Sequence, residues 1–159
     1  MRIEPDDITR PTVLALLEEH LRSMYDLSPP EQVFAFDADK LRAPGITFWT
    51  AWDDDLLLGC AALKQLSAIE GEVKSMRTPA RIRRRGAGRA LVDHLLRVAR
   101  ERGYRRLFLE TGRQTAFHPA HALYRSVGFE LCGPFGDYQD NGNSVFMTLD
   151  LGRRATDIS

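Results

Sequence analysis

The segment that most constrains this chain is Met76–Ala90, MRTPARIRRRGAGRA, together with the helix it leads into. An extended stretch ends at Pro79, a short loop rich in Arg and Gly follows, and the loop opens directly into the clearest helix of the sequence. Over Gly88–Arg102, Leu91, Val92, Leu95, Val98 and Ala99 form one apolar stripe, and Gly103 supplies a C-terminal stop. A stripe on one side of a helix demands an apolar surface to cover, and the flanking strands supply it.

The remaining elements are read from the same periodicities. Val13, Leu16, Leu17, Leu21 and Met24 recur at helical spacing over 10–25, with Pro11 in the first turn and Thr9 or Asp7 as candidate caps. A short helix is expected near Asp37–Arg42. Strands are expected over Ile46–Trp52 and Leu56–Leu63, joined by a turn at Asp53-Asp54-Asp55, and then over Glu72–Thr78. After the long helix come a buried-type strand, Arg105–Glu110, a short helix, Pro119–Val127, and two last strands, Phe129–Cys132 and Ser144–Leu151. This order predicts a single-domain α/β (α+β) fold. Its centre is a twisted, mixed, mostly antiparallel sheet of six to seven strands with helices on both faces. Residues 1–152 are expected to form the domain and 153–159 a tail.

Composition narrows the function classes. The chain has 159 residues and a formal net charge of zero. Lys74–Arg106 nevertheless holds 12 basic and 2 acidic residues, whereas residues 1–60 hold 12 acidic and 5 basic ones. One concentrated basic segment suits a local polyanionic ligand better than diffuse nucleic-acid binding. No apolar run is long enough for a membrane span, no leader segment is visible, and the two cysteines, Cys60 and Cys132, make no disulfide framework. A reduced, cytoplasmic protein is expected, without metal, because no histidine spacing suggests a ligand set.

The Arg/Gly loop has a direct chemical reading. Gly86 and Gly88 let the backbone pass close to a ligand, and the first free N–H groups of the helix point into the loop. Free amides at the positive end of a helix dipole bind anions, and Arg83, Arg84, Arg85 and Arg89 surround them. The expected ligand fragment is a pyrophosphate. Neither GxxxxGK[ST] nor GxGxxG in a dinucleotide fold is present. What remains is R-x-x-G-x-G, Arg83-x-x-Gly86-x-Gly88, between a strand and an amphipathic helix; a glycine turn with solvated arginines is the plain alternative.

At these residues the chain resembles the GNAT superfamily of acyl-CoA-dependent N-acetyltransferases, and more loosely a bacterial subgroup acting on small molecules. R-x-x-G-x-G followed by Arg89-Ala90-Leu91 is similar to the family's pyrophosphate loop. Ala120-x-x-Leu123-Tyr124-x-x-x-Gly128-Phe129 is similar to its second signature. The similarity runs from about Glu72 to Leu151, and GEVKSMRT, LETG and PFGDY carry the looser likeness. Two departures stand out. Phe117 replaces an Asn common seven residues before the tyrosine, and Met76-Arg77-Thr78-Pro79 replaces the usual Val-x-Pro.

The resemblance implies acetyl-CoA as cosubstrate and direct transfer of its acetyl group to an amine, without a covalent enzyme intermediate. It implies cofactor contacts at Met76, Arg77, Thr78, Arg83, Arg84, Arg85, Gly86, Ala87, Gly88, Arg89 and Tyr124. The backbone N–H of Met76 is the expected oxyanion donor and Tyr124 the expected general acid. Tyr124 as a plain hydrogen-bonding partner of the cofactor is the alternative. Glu72 is the first choice of base, through a water, with Glu110 either its rival or the group that receives a cationic substrate. Tyr25 is expected on the acceptor side, and His20, on the stripe of Leu16, Leu17 and Met24, is either a core or wall residue or a second acceptor-side group. His94 reads as solvated, His118 as a helix cap, and Trp49 and Trp52 as packing residues on opposite faces of one strand. The expected function is an N-acetyltransferase acting on a small-molecule amine; a non-catalytic acyl-CoA-binding or sensing module is the alternative. Neither nucleic acid nor membrane is an expected partner, and a homodimer stays open.

Overall fold

The computed structural model describes residues 1–18, 38–79, 86–113, 117–140 and 142–152. Seven strands form one sheet: β1 (Arg2–Pro5), β2 (Ile46–Asp53), β3 (Leu56–Gln65), β4 (Glu70–Arg77), β5 (Arg106–Gly112), β6 (Glu130–Cys132) and β7 (Ser144–Asp150). The helices are α1 (11–18), α2 (Ala38–Leu41), α3 (Ala87–Glu101) and α4 (His118–Ser126). The strand order is β1-β2-β3-β4-β5-β7-β6. Only β4 and β5 run parallel, with α3 as their crossover; every other neighbouring pair is antiparallel. The expected mixed sheet is therefore present.

Helices cover both faces. On one, Leu91, Val92, Leu95, Leu96 and Ala99 of α3 pack on Leu63, Val73, Leu107, Leu109 and Met147, with Tyr124 of α4 and Phe129 beside them. Each of the fully buried leucines stabilises the fold by about 2 kcal/mol. On the other face Val13, Leu16 and Leu17 of α1 and Leu41 of α2 close over Phe48, Trp52, Cys60 and Ala62. Trp49 and Trp52 divide between the two cores, as their odd spacing predicts.

Three expectations need correction. The first helix begins after Arg10, and neither Thr9 nor Asp7 caps it. The Thr9 hydroxyl donates to the Asp7 carboxylate (2.6 Å), because Ile8, at φ 61°, turns the chain between strand and helix. β1 is an additional edge strand, paired along its length with β2. His94 is half-buried: its ring meets the Trp49 ring edge at 5.1 Å, Arg97 lies 2.8 Å from Nδ1, and burial lowers its pKa. The expected second half of the first helix, with His20 and Tyr25, lies outside the described residues.

Candidate active site

Two irregularities in β4 open the middle of the sheet. Its parallel pairing with β5 covers only Glu70–Val73 against Arg106–Leu109. Beyond Val73 and Leu109 the two strands continue to Arg77 and Gly112 with no register between them. On its other side β4 carries a bulge. Cys60 stands opposite Arg77 and Ala62 opposite Lys74, so β4 spends one more residue than β3 over that interval. Ser75 takes up the excess at φ 56°, and its carbonyl accepts from the Cys60 thiol at 3.2 Å. Met76 lies in this bulge with its side chain against the α3-side core.

On the α3 side of the split, the start of the long helix suits an anion. Gly86 precedes the first turn at φ 79°, a conformation that other residues adopt at a cost of about 1–2 kcal/mol. The first helical bond runs from the Ala90 N–H to the Gly86 carbonyl, so the Ala87, Gly88 and Arg89 amides have no acceptor within the helix. Among the described residues no side chain caps that end, and no acidic residue stands in the first turn. A Cβ on Gly86 would meet nothing within 4 Å, while one on Gly88 would meet Leu123 Cδ2 of α4 at 3.3 Å. The glycines thus leave an open backbone surface bounded by α4, which fits a pyrophosphate. Arg89 is exposed and pairs with Asp93 one turn on (3.1 Å), so its guanidinium lies along the helix rather than around that end. Arg83, Arg84 and Arg85 lie outside the described residues.

Tyr124 projects from α4 into the same core, its ring T-shaped against Phe129 at 5.7 Å. Burial pushes its phenol pKa up, which keeps the proton on the oxygen. The two halves of α4 are fixed differently. Phe117, not His118, occupies the cap position, with no side-chain cap bond. His121 donates from Nε2 to the Gly112 carbonyl at 2.8 Å, tying α4 to the free end of β5.

The opposite face of the split is polar. Glu72 is 2% exposed. Its Oε2 accepts from the Tyr138 hydroxyl at 2.7 Å and from Lys74 Nζ at 3.3 Å, and Lys74 also donates to the Tyr138 oxygen at 3.2 Å. Glu110 is on the neighbouring strand two residues past Phe108, which stands opposite Glu72. The Ser144 hydroxyl donates to Glu110 Oε2 at 2.9 Å. Burial raises the Glu110 pKa and the nearby Glu72 carboxylate adds to it, against the Ser144 bond and Lys74. The two carboxylates foreseen from the sequence therefore share one electrostatic site. Tyr138, Lys74 and Ser144 were not foreseen. Tyr138 sits in the loop between β6 and β7, and the aromatic cluster it joins with Phe135, Phe146 and Phe108 is the signal that marks it.

Among the described residues no three His, Cys, Asp or Glu side chains are placed to hold a metal. No helix there is long and apolar enough to cross a membrane. Both cysteines are free thiols, and burial pushes that of Cys60 up to about 12.

The sheet is thus split between parallel strands, with an uncapped helix start and the Tyr124 phenol on one side and two carboxylates on the other. Residues 13–129 match the model of the acetyltransferase (GNAT) family. The chain is 50% identical to YsnE of Bacillus subtilis (strain 168), described as an uncharacterized N-acetyltransferase, over 95% of this chain and all of that protein. It is 45% identical to YedL of Escherichia coli (strain K12), described in the same words, over 94% of each. An aminoglycoside 6′-N-acetyltransferase solved with coenzyme A shares the fold at TM-score 0.71 and 17% identity, covering 97% of this chain and 99% of the other. The chain belongs to the GNAT family of acetyltransferases and is an acyltransferase of the N-acetyltransferase class.

Proposed function

We propose that this protein transfers the acetyl group of acetyl-CoA to the amine of a small molecule, with residues 1–152 as the acetyltransferase domain and 153–159 as a tail. The observation that carries this reading is the pairing of a buried carboxylate, Glu72, with a second one, Glu110, beside the gap where β4 and β5 part. The α3 start lies on the other side of the sheet. A donor held there reaches an acceptor on the carboxylate face through that gap.

The residues divide the work. The amides of Ala87, Gly88 and Arg89 hold the pyrophosphate, with Arg83, Arg84 and Arg85 preceding them in the loop. Met76, Arg77 and Thr78 flank the arm that passes through the split. Acetyl-CoA, when bound, supplies an activated thioester carbonyl. The Met76 N–H, aimed by the bulge, donates to the carbonyl oxygen as it gains charge. Glu72 takes the proton that an ammonium must lose before nitrogen can attack. Glu110, partly shielded from water, holds the cationic acceptor, with His20 and Tyr25 on the acceptor side. Tyr124, kept protonated by burial, gives its proton to the departing sulfur.

Free thiols favour a reducing compartment, and we read the protein as cytoplasmic. Thiol release from acetyl-CoA against a panel of amines tests the function: release that depends on the amine supports transfer, and release without amine dependence, or none, overturns it.

A further inference from the structure

We infer that Tyr138, with Lys74, is a positioning residue for the reaction: together they clamp one oxygen of Glu72 so that the other faces the acceptor amine. This rests on the reading of Glu72 as the base.

The clamp is specific in its atoms. Both donors reach Oε2, the Tyr138 hydroxyl at 2.7 Å and Lys74 Nζ at 3.3 Å. Oε1 accepts no hydrogen bond among the described residues. Lys74 also donates to the phenol oxygen, which directs the single phenol proton onto Glu72. The phenol is itself immobilised. Its ring packs T-shaped on Phe135 (5.0 Å) and against Phe146 (5.8 Å), and Phe135 stacks on Phe108 at 4.9 Å. The Tyr138 N–H closes a turn on the Phe135 carbonyl at 3.1 Å, with Gly136 at φ 57° inside it. A loop between β6 and β7 thereby fixes a carboxylate on β4, 66 residues away in sequence.

The proton step is then defined. An ammonium N–H bond breaks, its electron pair stays on nitrogen, and the proton forms an O–H bond on Glu72 Oε1, directly or through one water. Both donors occupy Oε2, which leaves Oε1 as the oxygen free to take that proton. Among the described residues, the titratable and charged groups around Glu72 are Glu70 and Lys74 on its own strand, Lys64 opposite on β3, Glu110 on β5 and Tyr138. Arg106 shares the β5 face but turns to the Thr148 hydroxyl at 3.1 Å.

The test compares the pH profiles of kcat/KM for Tyr138→Phe, Lys74→Met and Glu72→Gln, with melting temperature and acetyl-CoA affinity measured on each. Tyr138→Phe keeps the ring stack and deletes only the hydroxyl. It is expected to move the acidic limb up by about one pH unit, the scale of one hydrogen bond to a charged group, and to lower kcat while acetyl-CoA affinity stays put. Lys74→Met, which removes the other donor, is expected to move the limb the same way and keeps the test open if Tyr138→Phe does not fold. Glu72→Gln is expected to abolish the limb. If Glu72→Gln abolishes the limb but neither clamp variant moves it, the clamp is refuted and the base assignment stands. If Glu72→Gln leaves the limb intact, the base assignment fails and the clamp fails with it.

Discussion

Glu72 and Glu110 occupy the same face of adjacent parallel strands, with Phe108 as the residue opposite Glu72 and the last β4–β5 pair, Val73–Leu109, between them. Two carboxylates so placed repel each other, and only one is well supplied with donors. Among the described residues Glu72 has Tyr138 and Lys74 as donors, whereas Glu110 has Ser144. The pair is thereby differentiated in its hydrogen bonding, and burial pushes Glu110 toward its neutral form.

This asymmetry makes stability depend on pH at Glu110. Its pKa is raised in the folded state above the ordinary carboxylate value of 4.5. Unfolding therefore favours release of its proton between those two values, and the folded state loses stability as pH climbs through that window. Below it, Glu110 is protonated in both states and behaves like Gln. Glu110→Gln is expected to melt close to the parent protein at pH 4 and above it at pH 8, with the difference opening in between. A difference that is constant with pH contradicts the burial argument. In kinetics the same variant is expected to raise the KM of the acceptor.

Tyr124→Phe is expected to lower kcat by about 10²–10⁴-fold, the usual worth of a general acid, with acetyl-CoA affinity nearly unchanged. The hydroxyl is buried and its proton firmly held, so its service comes as sulfur leaves and not on binding. Calorimetry with acetyl-CoA checks this; a loss of affinity equal to the loss of rate shows a binding role instead.

Gly88→Glu is expected to weaken acetyl-CoA binding at least about tenfold. It sets a carboxylate near amides that favour anions, and its Cβ presses on Leu123 Cδ2. Gly86→Asp adds strain at φ 79° as well as charge. Calorimetry on folded variants decides, and unchanged affinity removes the helix start from the cofactor site.

A structural network away from the split carries a separate prediction. The Asp6 carboxylate is fully shielded and accepts from the Ile8 N–H (2.7 Å), the Thr50 hydroxyl (3.1 Å) and Arg10 (2.5 Å), while Trp52 Nε1 donates to Thr50 at 2.7 Å. Arg10 stacks over the Trp52 ring at 4.3 Å. Asp6→Ala leaves the buried Thr50 hydroxyl without its acceptor and Arg10 with Glu4 alone, costing about 2 kcal/mol, or roughly 6 °C of melting temperature. A shift within a degree or two shows the network to be solvated.

How legible this was in the sequence depends on the range of each interaction. α3 was legible because its stripe is local: Leu91, Leu95 and Ala99 recur within one helix and need only a sheet to cover. The β4–β5 parallel step followed from strand, helix and strand in order. β1 was not legible, since Arg2–Pro5 has four residues, two of them charged and one a proline, and becomes a strand only by lying on β2. His94 read as solvated because its helical neighbours are mostly exposed; the Trp49 edge that covers it comes from β2, distant in sequence. Glu72 and Glu110 were visible at the ends of strand patterns. Tyr138 was not, because an aromatic residue in a Gly- and Asp-rich loop has no periodicity, and its contact with Glu72 exists only after the loop folds back over the sheet.

The central claim is transfer of an acetyl group from acetyl-CoA to a small amine, and mass spectrometry of a metabolite pool incubated with the protein and acetyl-CoA tests it most directly. The account predicts that an amine-bearing small molecule gains one acetyl group, with one free thiol released per acetyl transferred, and that Glu72→Gln and Tyr124→Phe suppress both together. Thiol release with no acetylated small molecule, or acetylation confined to protein, contradicts it.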